Sequence, residues 1–262
     1  LSHNQKAKEQ LTMKFYLCID DTDNLDSIGT GTIAEQIQEK LIAAGYGPCS
    51  LITRHQLFIH QDIPYTSHNS SMCFHGEAPE DALTDIITIA SHHLDTVAAA
   101  GSDPGLCVLQ FDSQQNYQEL IDFGKYAKTQ ILTKDDAIRC AQKSGLHLSE
   151  HGGTGLGIIG ALAGVGLRLF GYDGEIKGAL KTIEINKAYL VSELKKFPEL
   201  RQVLDLDDKK TLDDRVTISI DNRTKTVLYN HQYVLFVKQD QTDRYQSISK
   251  SEIRKLGERF YE

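Results

Sequence analysis

Long hydrophobic runs are missing from this chain. No apolar stretch reaches the roughly 18–20 residues that a membrane-spanning helix needs, and the start shows no basic, apolar, small-residue leader. The reading is a cytoplasmic protein with no membrane partner. Cysteine is sparse and irregular: Cys18, Cys49, Cys73, Cys107 and Cys140 are odd in number, widely spaced and form no C-x-x-C. That pattern indicates neither a disulfide framework nor a zinc ribbon. Most of these cysteines sit in apolar runs as small core residues, in keeping with a reducing compartment. Positive charge is in deficit, with 28 Lys and Arg against 36 Asp and Glu, a net charge of −8. A strong, non-specific nucleic-acid binder would be basic, although a local basic groove stays open. The chain has no P-loop G-x-x-x-x-G-K-[ST], no dinucleotide fingerprint in Rossmann register and no calcium-loop spacing. Internal repeats and low-complexity segments are absent too. With 262 residues, 40% apolar and 24% charged, the chain can bury a large core as one or two domains.

The most informative stretch is Lys14–Thr32, KFYLCIDDTDNLDSIGTGT. Phe15–Ile19 is a β-prone apolar run. Asp20, Asp21 and Asp23 then crowd three carboxylates into four residues around Thr22, with Asp26 close behind. Gly29-Thr30-Gly31-Thr32 leads into helical periodicity over Ile33–Ala44. Carboxylates at the carboxyl end of a strand, where α/β sheets hold ligands, repel one another unless a cation neutralises them. Mg²⁺ does so through oxygen ligands shared with substrate phosphates, and a helix N-terminus offers N–H groups to an anion. An N-capped acidic turn is the competing explanation.

Further along, Gly45–Pro48 is a turn, Cys49–Phe58 and Ser70–His75 are strands, and Glu77–Leu94 is a helix with Pro79 in its first turn. Gly101–Gly105 turns into a strand over Leu106–Leu109. Helices follow over Gln115–Lys128 and Lys134–Lys143. From the first strand, this is the β-α-β-β-α-β order of ferredoxin-like folds. A second glycine-rich stretch, EHGGTGLGIIGALAGVGLRLFG, starts at Glu150. Its Gly152-Gly153-Thr154-Gly155 end suits a binding turn that comes close to a phosphate, and Ile158–Leu169 suits a buried helix. Past Lys181 the reading is a strand at Thr182–Ile185 and a helix over Asn186–Phe197. A solvated charged turn follows at Asp205–Asp214, then antiparallel strands at Val216–Ile220, Thr224–Leu228 and Tyr233–Val237. Asp221-Asn222-Arg223 serves as a hairpin turn, and Ile248–Phe260 is a terminal helix capped by Ser249 or Ser251. The division is an N-terminal extension over 1–12, a core over 13–180 and a C-terminal α+β region over 181–262.

Four of these stretches, in order, resemble the archaeal tRNA(Ile) 2-agmatinylcytidine synthetases. They are Ile19-Asp20-Asp21-Thr22-Asp23 through Gly29-Thr30-Gly31-Thr32, the loop from Arg54 to Asn69, Asp103-Pro104-Gly105-Leu106, and Gly153 to Gly166. The resemblance spans roughly residues 13–190. It implies an α/β (α+β) fold in which a kinase-like catalytic domain packs with a ferredoxin-like arrangement, followed here by a small C-terminal antiparallel region. It also implies ATP and Mg²⁺ as cofactors, with an amine co-substrate joined to a tRNA cytidine. The acidic motif would bind Mg²⁺ and ATP phosphates, and a following threonine would sit at the phosphate-transfer site. Thr32 matches that position if Leu25–Ser27 is an insertion, with Thr30 the alternative. The chain departs from the family in lacking the cysteines of its zinc ribbon and the lysine and arginine of its K-T-R-G-N loop, where Ser67, His68 and Asn69 stand.

The sites expected on these grounds are Asp20, Asp21 and Asp23 for metal, with Thr32, Arg54 and His151 joining them in catalysis. Thr22, Gly29, Thr30, Gly31, Gly152, Gly153, Thr154 and Gly155 would hold the nucleotide. Arg54 supplies a phosphate contact or an ordinary surface pair. His55, His60, His68, His75 and His151 are acid–base candidates, each weighed against a structural role, with His151 favoured because it abuts Gly152-Gly153. The acceptor is a tRNA cytidine or a smaller molecule. A non-catalytic nucleotide sensor is the alternative.

Overall fold

The computed structural model describes residues 11–63, 69–249 and 251–253. Strand β1 (Thr12–Asp20) leads through the acidic loop into helix α1 (Thr30–Ala43). Then come β2 (Thr53–Gln56), β3 (Ser70–Pro79), α2 (Leu83–Val97) and β4 (Gly105–Phe111). The spatial order is β4-β1-β3-β2, with every neighbouring pair antiparallel. Alternation along β1 sends side chains to opposite faces. Phe15, Leu17 and Ile19 meet Ile33, Ile37 and Leu41 of α1 and Ile86 and Leu94 of α2. Tyr16 and Cys18 face the other way, and Asp20 continues their row.

That second face is covered by α3 (Gln118–Tyr126), α4 (Lys134–Ser144) and α5 (Gly157–Phe170). Strand β5 (His147–Glu150), which the sequence reading did not anticipate, pairs with β4 as an edge. Small residues let α5 approach the sheet closely. A Cβ added at Gly164 would lie 2.3 Å from the Cys18 sulfur, and one at Gly160 would lie 1.6 Å from Asp20 Oδ2. Helix positions four apart thus match strand positions two apart, which aligns α5 along β1.

Strand β6 (Glu175–Ile176) pairs with β2 on one side and carries the sheet onward. The remaining elements are β7 (Lys187–Leu190), the single turn α6 (Val191–Leu194), β8 (Gln202–Asp205), β9 (Thr217–Ile220), β10 (Val227–Tyr229), β11 (Gln232–Gln239) and β12 (Tyr245–Ser247). They continue the order β6-β10-β11-β12-β9-β7, and β8 lies parallel to β11. Among the described residues no helix is long and apolar enough to cross a membrane.

Several expectations need correction. Gly29-Thr30-Gly31-Thr32 is not a turn ahead of the first helix; Gly29 is the N-cap and Thr30 opens the helix. Pro79 ends β3 rather than starting a helix, because Lys14↔Glu77 and Thr12↔Pro79 extend the sheet pairing that far. Thr182–Ile185 is not a strand, and only Val191–Leu194 of Asn186–Phe197 is helical. Lys187–Leu190 instead pairs with β9, and Asn186 at φ +61 breaks the chain ahead of it. Asp205 belongs to β8 and is buried. The C-terminal strands are not all antiparallel, since β9 runs parallel to β12. Asp221–Arg223 is no hairpin turn. The hairpin joins β10 to β11 through Asn230-His231, at φ +47 and +59, the two-residue turn whose twist suits the strands. Residues 64–68 and 254–262, which include His68 and most of the expected terminal helix, lie outside the described residues. Ser249 caps that segment's start, with its Oγ accepting from Glu252 N and its N–H donating to Glu252.

Candidate active site

A cleft of about 140 Å³ opens at the carboxyl end of β1. One wall is acidic, formed by Asp20, Asp21 and Asp23 with Thr30 from the first turn of α1. A second comes from the start of α5, Leu156, Gly157, Ile159 and Gly160. The loop after β2 and the start of β3 add Leu57, Asp62, Ile63, Asn69 and Ser70, and the α3–α4 connection adds Ala127, Gln130, Ile131 and Leu132. The acidic and glycine-rich stretches, far apart in sequence, therefore meet in one site, with an apolar wall opposite the carboxylates.

Each wall has a physical anchor. Asp20 is the last residue of β1 and is buried. It fits because Gly160 has no side chain where the Asp20 carboxylate lies. Asp21 turns the chain at φ +51, a left-handed conformation that Asp tolerates better than most residues. Asp23 accepts a hydrogen bond from Thr30 Oγ1 at 2.9 Å, which ties the acidic loop to α1. Thr22 points away from the cleft. It is fully buried, its carbonyl accepts from Ala99 N at 3.1 Å, and its hydroxyl finds no partner among the described residues.

The α3–α4 wall is held by a buried charge network. Lys128 Nζ donates to Asp173 Oδ2 at 2.5 Å and to the Gln56 carbonyl at 2.9 Å. His55 Nδ1 lies 2.7 Å from Asp173 Oδ1, and its Nε2 lies 2.7 Å from Thr53 Oγ1. Asp173 is held well below the usual carboxylate range: the Lys128 charge and the His55 hydrogen bond outweigh the burial penalty, which is the largest single influence. Burial lowers the His55 pKa. His55 is thus a structural residue behind the wall, not an acid–base group in the cleft.

The carboxylates are electrostatically frustrated. Burial, with the charges of Asp21 and Asp23 behind it, pushes Asp20 up to about 8. Burial, then Asp103 and Asp23, pushes Asp21 up to about 6. Near neutral pH the site resists full ionisation, and a cation or a proton relieves it. Among the described residues, no group of three or more His, Cys, Asp or Glu side chains gathers as a metal-binding set.

Other expected residues fall around the cleft rather than in it. Thr32 is on the exposed side of α1, whereas Thr30 is in the lining. Gly31 packs against the Lys177 stem. Arg54 does not line the cleft but donates from Nε to Ser70 Oγ, which does, at 3.0 Å; it also reaches Gln56 at 3.0 Å and Glu175 at 3.8 Å. His151 bridges Asp95 at 2.7 Å and Ser149 at 2.8 Å, a link between α2 and β5 outside the lining. Gly153 and Thr154 pack against Asp103, a carboxylate that stands in the Asp103-Pro104-Gly105-Leu106 match but was not expected as a site residue, while Gly152 lies against Pro104 and Gly155 against Glu150 and Lys134. Asp103 accepts from Thr154 N and Thr154 Oγ1, both at 2.5 Å. Gly153 sits at φ +56, and an added Cβ would fall 1.6 Å from Asp103 Oδ1. The usable signal was an aspartate in the turn before β4. The Gln130–Leu132 segment offered none.

The geometry defines a mixed α/β protein with a cleft at a strand's carboxyl end, acidic on one side and apolar on the other. No family model matches the chain, and no curated protein matches it. Solved structures do share its fold. The structure of a tRNA fluorescent labeling enzyme aligns at TM-score 0.51 and 24% identity, over 59% of this chain and 36% of that one. The complex of TiaS with an isoleucine tRNA and ATP aligns at TM-score 0.51 and 23% identity, over 59% and 36%. The complex of TiaS with the same tRNA, AMPCPP and agmatine aligns at TM-score 0.50 and 18% identity, over 83% of this chain and 52% of that one. The chain thus spans about a third to a half of the length of these proteins.

Proposed function

We propose that the chain is an ATP- and Mg²⁺-dependent enzyme that activates an acceptor oxygen by phosphorylation for attack by an amine. The observation that carries this reading is the meeting of Asp20, Asp21 and Asp23 with the start of α5 in one cleft. Its further support is the likeness in fold to TiaS, whose solved complexes hold tRNA with ATP, or with AMPCPP and agmatine. On this reading residues 12–111 are a ferredoxin-like arrangement, and the cleft is the kinase-like catalytic centre of the 13–180 core.

The donor chemistry fits Mg²⁺. Asp20 and Asp21 find no cationic partner among the described residues, and Mg²⁺ is usually held by one or two carboxylates together with substrate phosphates and water. Asp20 and Asp21 would hold the ion, with Asp23 beside them; when bound, it neutralises charge on the phosphates. The first-turn N–H groups of α5 are taken, Gly157 by the Asp103 carbonyl, Ile158 by that of Gly155 and Ile159 by that of Leu156, so the start of α5 acts as a wall that brings the backbone close to the phosphates rather than as their donor. Thr30 Oγ1 is the hydroxyl placed at the acidic wall, so it, not Thr32, is the threonine at the transfer position. The acceptor oxygen attacks the γ-phosphorus and ADP leaves. The amine nitrogen then attacks the activated carbon, and phosphate departs with the former acceptor oxygen. The apolar wall of Leu57, Ile131 and Ile159 excludes water from that intermediate, and Asn69 and Gln130 supply polar contacts to the acceptor.

ATP turnover with and without Mg²⁺ tests the proposal, with ADP and phosphate measured in the presence of tRNA and agmatine or other amines. Mg²⁺-dependent ADP release that rises with an acceptor is the expected result. Tight ATP binding without release would instead mark a nucleotide sensor.

A further inference from the structure

Arg168, near the far end of α5, is 3% exposed and has no carboxylate partner among the described residues. Its Nη2 reaches Ser50 Oγ at 3.1 Å, the Leu51 carbonyl at 3.4 Å and Tyr233 OH at 3.3 Å, all neutral. Its Nη1 has no partner among the described residues. A buried guanidinium without a counter-ion is costly, and an orphaned buried donor calls for an explanation such as a missing ion.

The surroundings supply more positive charge, not less. Tyr16 joins two members of the cluster. The Lys14 ammonium is 5.1 Å from its ring centroid, and the His75 ring is 5.5 Å away. Ser50, which accepts from Arg168, also accepts from the His75 backbone N–H at 3.0 Å. His231, in the β10–β11 turn, stands against Gly171 at the end of α5. Lys14, His75 and Tyr233 are half-buried and His231 is exposed, and the buried Arg168 lies close enough for its charge to act on Lys14, His75 and His231. Glu77, paired in register with Lys14, is the acid facing it among the described residues. The two histidines are kept neutral: burial first, then the Arg168 and Lys14 charges, pushes His75 down to about 3, and burial with the same two charges lowers His231.

We propose that Arg168, Lys14, His75 and His231 form an oxyanion site for a phosphate group, distinct from the cleft. Arg168 is eight residues beyond Gly160, about 12 Å along the helix axis. The guanidinium offers the fork that matches phosphate geometry, Lys14 adds a point charge, and each neutral histidine adds one N–H donor. The phosphate comes either free or as the phosphodiester of a nucleic-acid strand. This inference stands whether or not the cleft turns over ATP.

The experiment follows the ring signals of His75 and His231 by NMR across pH. One arm adds inorganic phosphate and the other a dinucleoside monophosphate, each to the full chain and to Lys14→Ala. Lys14 is half-buried at a strand start, so this variant keeps the fold where Arg168→Met would endanger it. A bound anion raises the His75 pKa by about one unit or more. Loss of Lys14 weakens binding about tenfold. A response to phosphate alone identifies the free ion, and a response to the dinucleotide identifies a strand. Histidine titrations that neither ligand moves, or that Lys14→Ala leaves as responsive as the parent chain, would overturn the proposal.

Discussion

Replacing Asp20 with asparagine tests the electrostatic account of the cleft without any assay of activity. Asparagine has nearly the shape of a protonated aspartate, so the fit against Gly160 survives and only the capacity to ionise is lost. In the folded protein the Asp20 carboxyl is pushed to about 8 from an ordinary value of 3.8. The raised value means that the fold favours the protonated form. The stability this contributes is complete below about pH 4 and is lost as pH rises toward 8. Between those limits each pH unit removes about 1.4 kcal/mol. The full window is worth at most about 6 kcal/mol, and since Asp20 is 7% exposed, solvent screening takes little of it away. Urea denaturation at pH values of about 5, 7 and 8.5 without divalent cations measures it. The parent chain should lose stability across that range far more steeply than Asp20→Asn, and the variant should be the more stable at the alkaline end by several kcal/mol. Parallel profiles for the two proteins would refute the argument that Asp20 ionises against burial and its neighbours.

Other substitutions probe the supports of the site. Asp173→Asn leaves Lys128 and His55 without their buried counter-charge and should cost about 3–5 kcal/mol in denaturant titration. Gly160→Ala drives a methyl into the space of Asp20 Oδ2 and to 3.0 Å from Leu57. It should cost about 1–3 kcal/mol and depress ATP turnover further than that loss of stability explains. Thr133→Ala removes a capping box at the start of α4, whose Oγ1 accepts from Asp136 N at 3.2 Å. It should lower stability by about 1 kcal/mol with turnover unchanged.

What was legible in the sequence follows from how local its causes are. Phe15–Ile19 reads as a strand because both of its faces are buried, and DDTD reads as a loop because carriers of like charge cannot pack. The order of the first strands and helices followed from alternation and turns. The C-terminal region was read poorly, because Asn186–Phe197 has helical spacing while its edge position beside β9 makes Lys187–Leu190 a strand. Non-local pairing decided that, and periodicity cannot see it. The same limit applied to the site. Asp20, Asp21 and Asp23 carried their own signal, but His151 looked functional only because of the adjacent glycines, of which Gly153 makes room for Asp103 and Gly155 for Glu150. The Ala127–Leu132 wall depends on Lys128 reaching Asp173, 45 residues away.

The central claim, that the β1 carboxylates serve Mg²⁺-dependent ATP turnover, is tested most directly by Asp21→Asn. Asparagine tolerates the φ of +51 at this position, so the turn persists while the charge is removed. Circular dichroism should be unchanged, and Mg²⁺-dependent ADP release should fall at least about a hundredfold. Turnover equal to that of the parent chain, at the same Mg²⁺ concentration, would contradict the account.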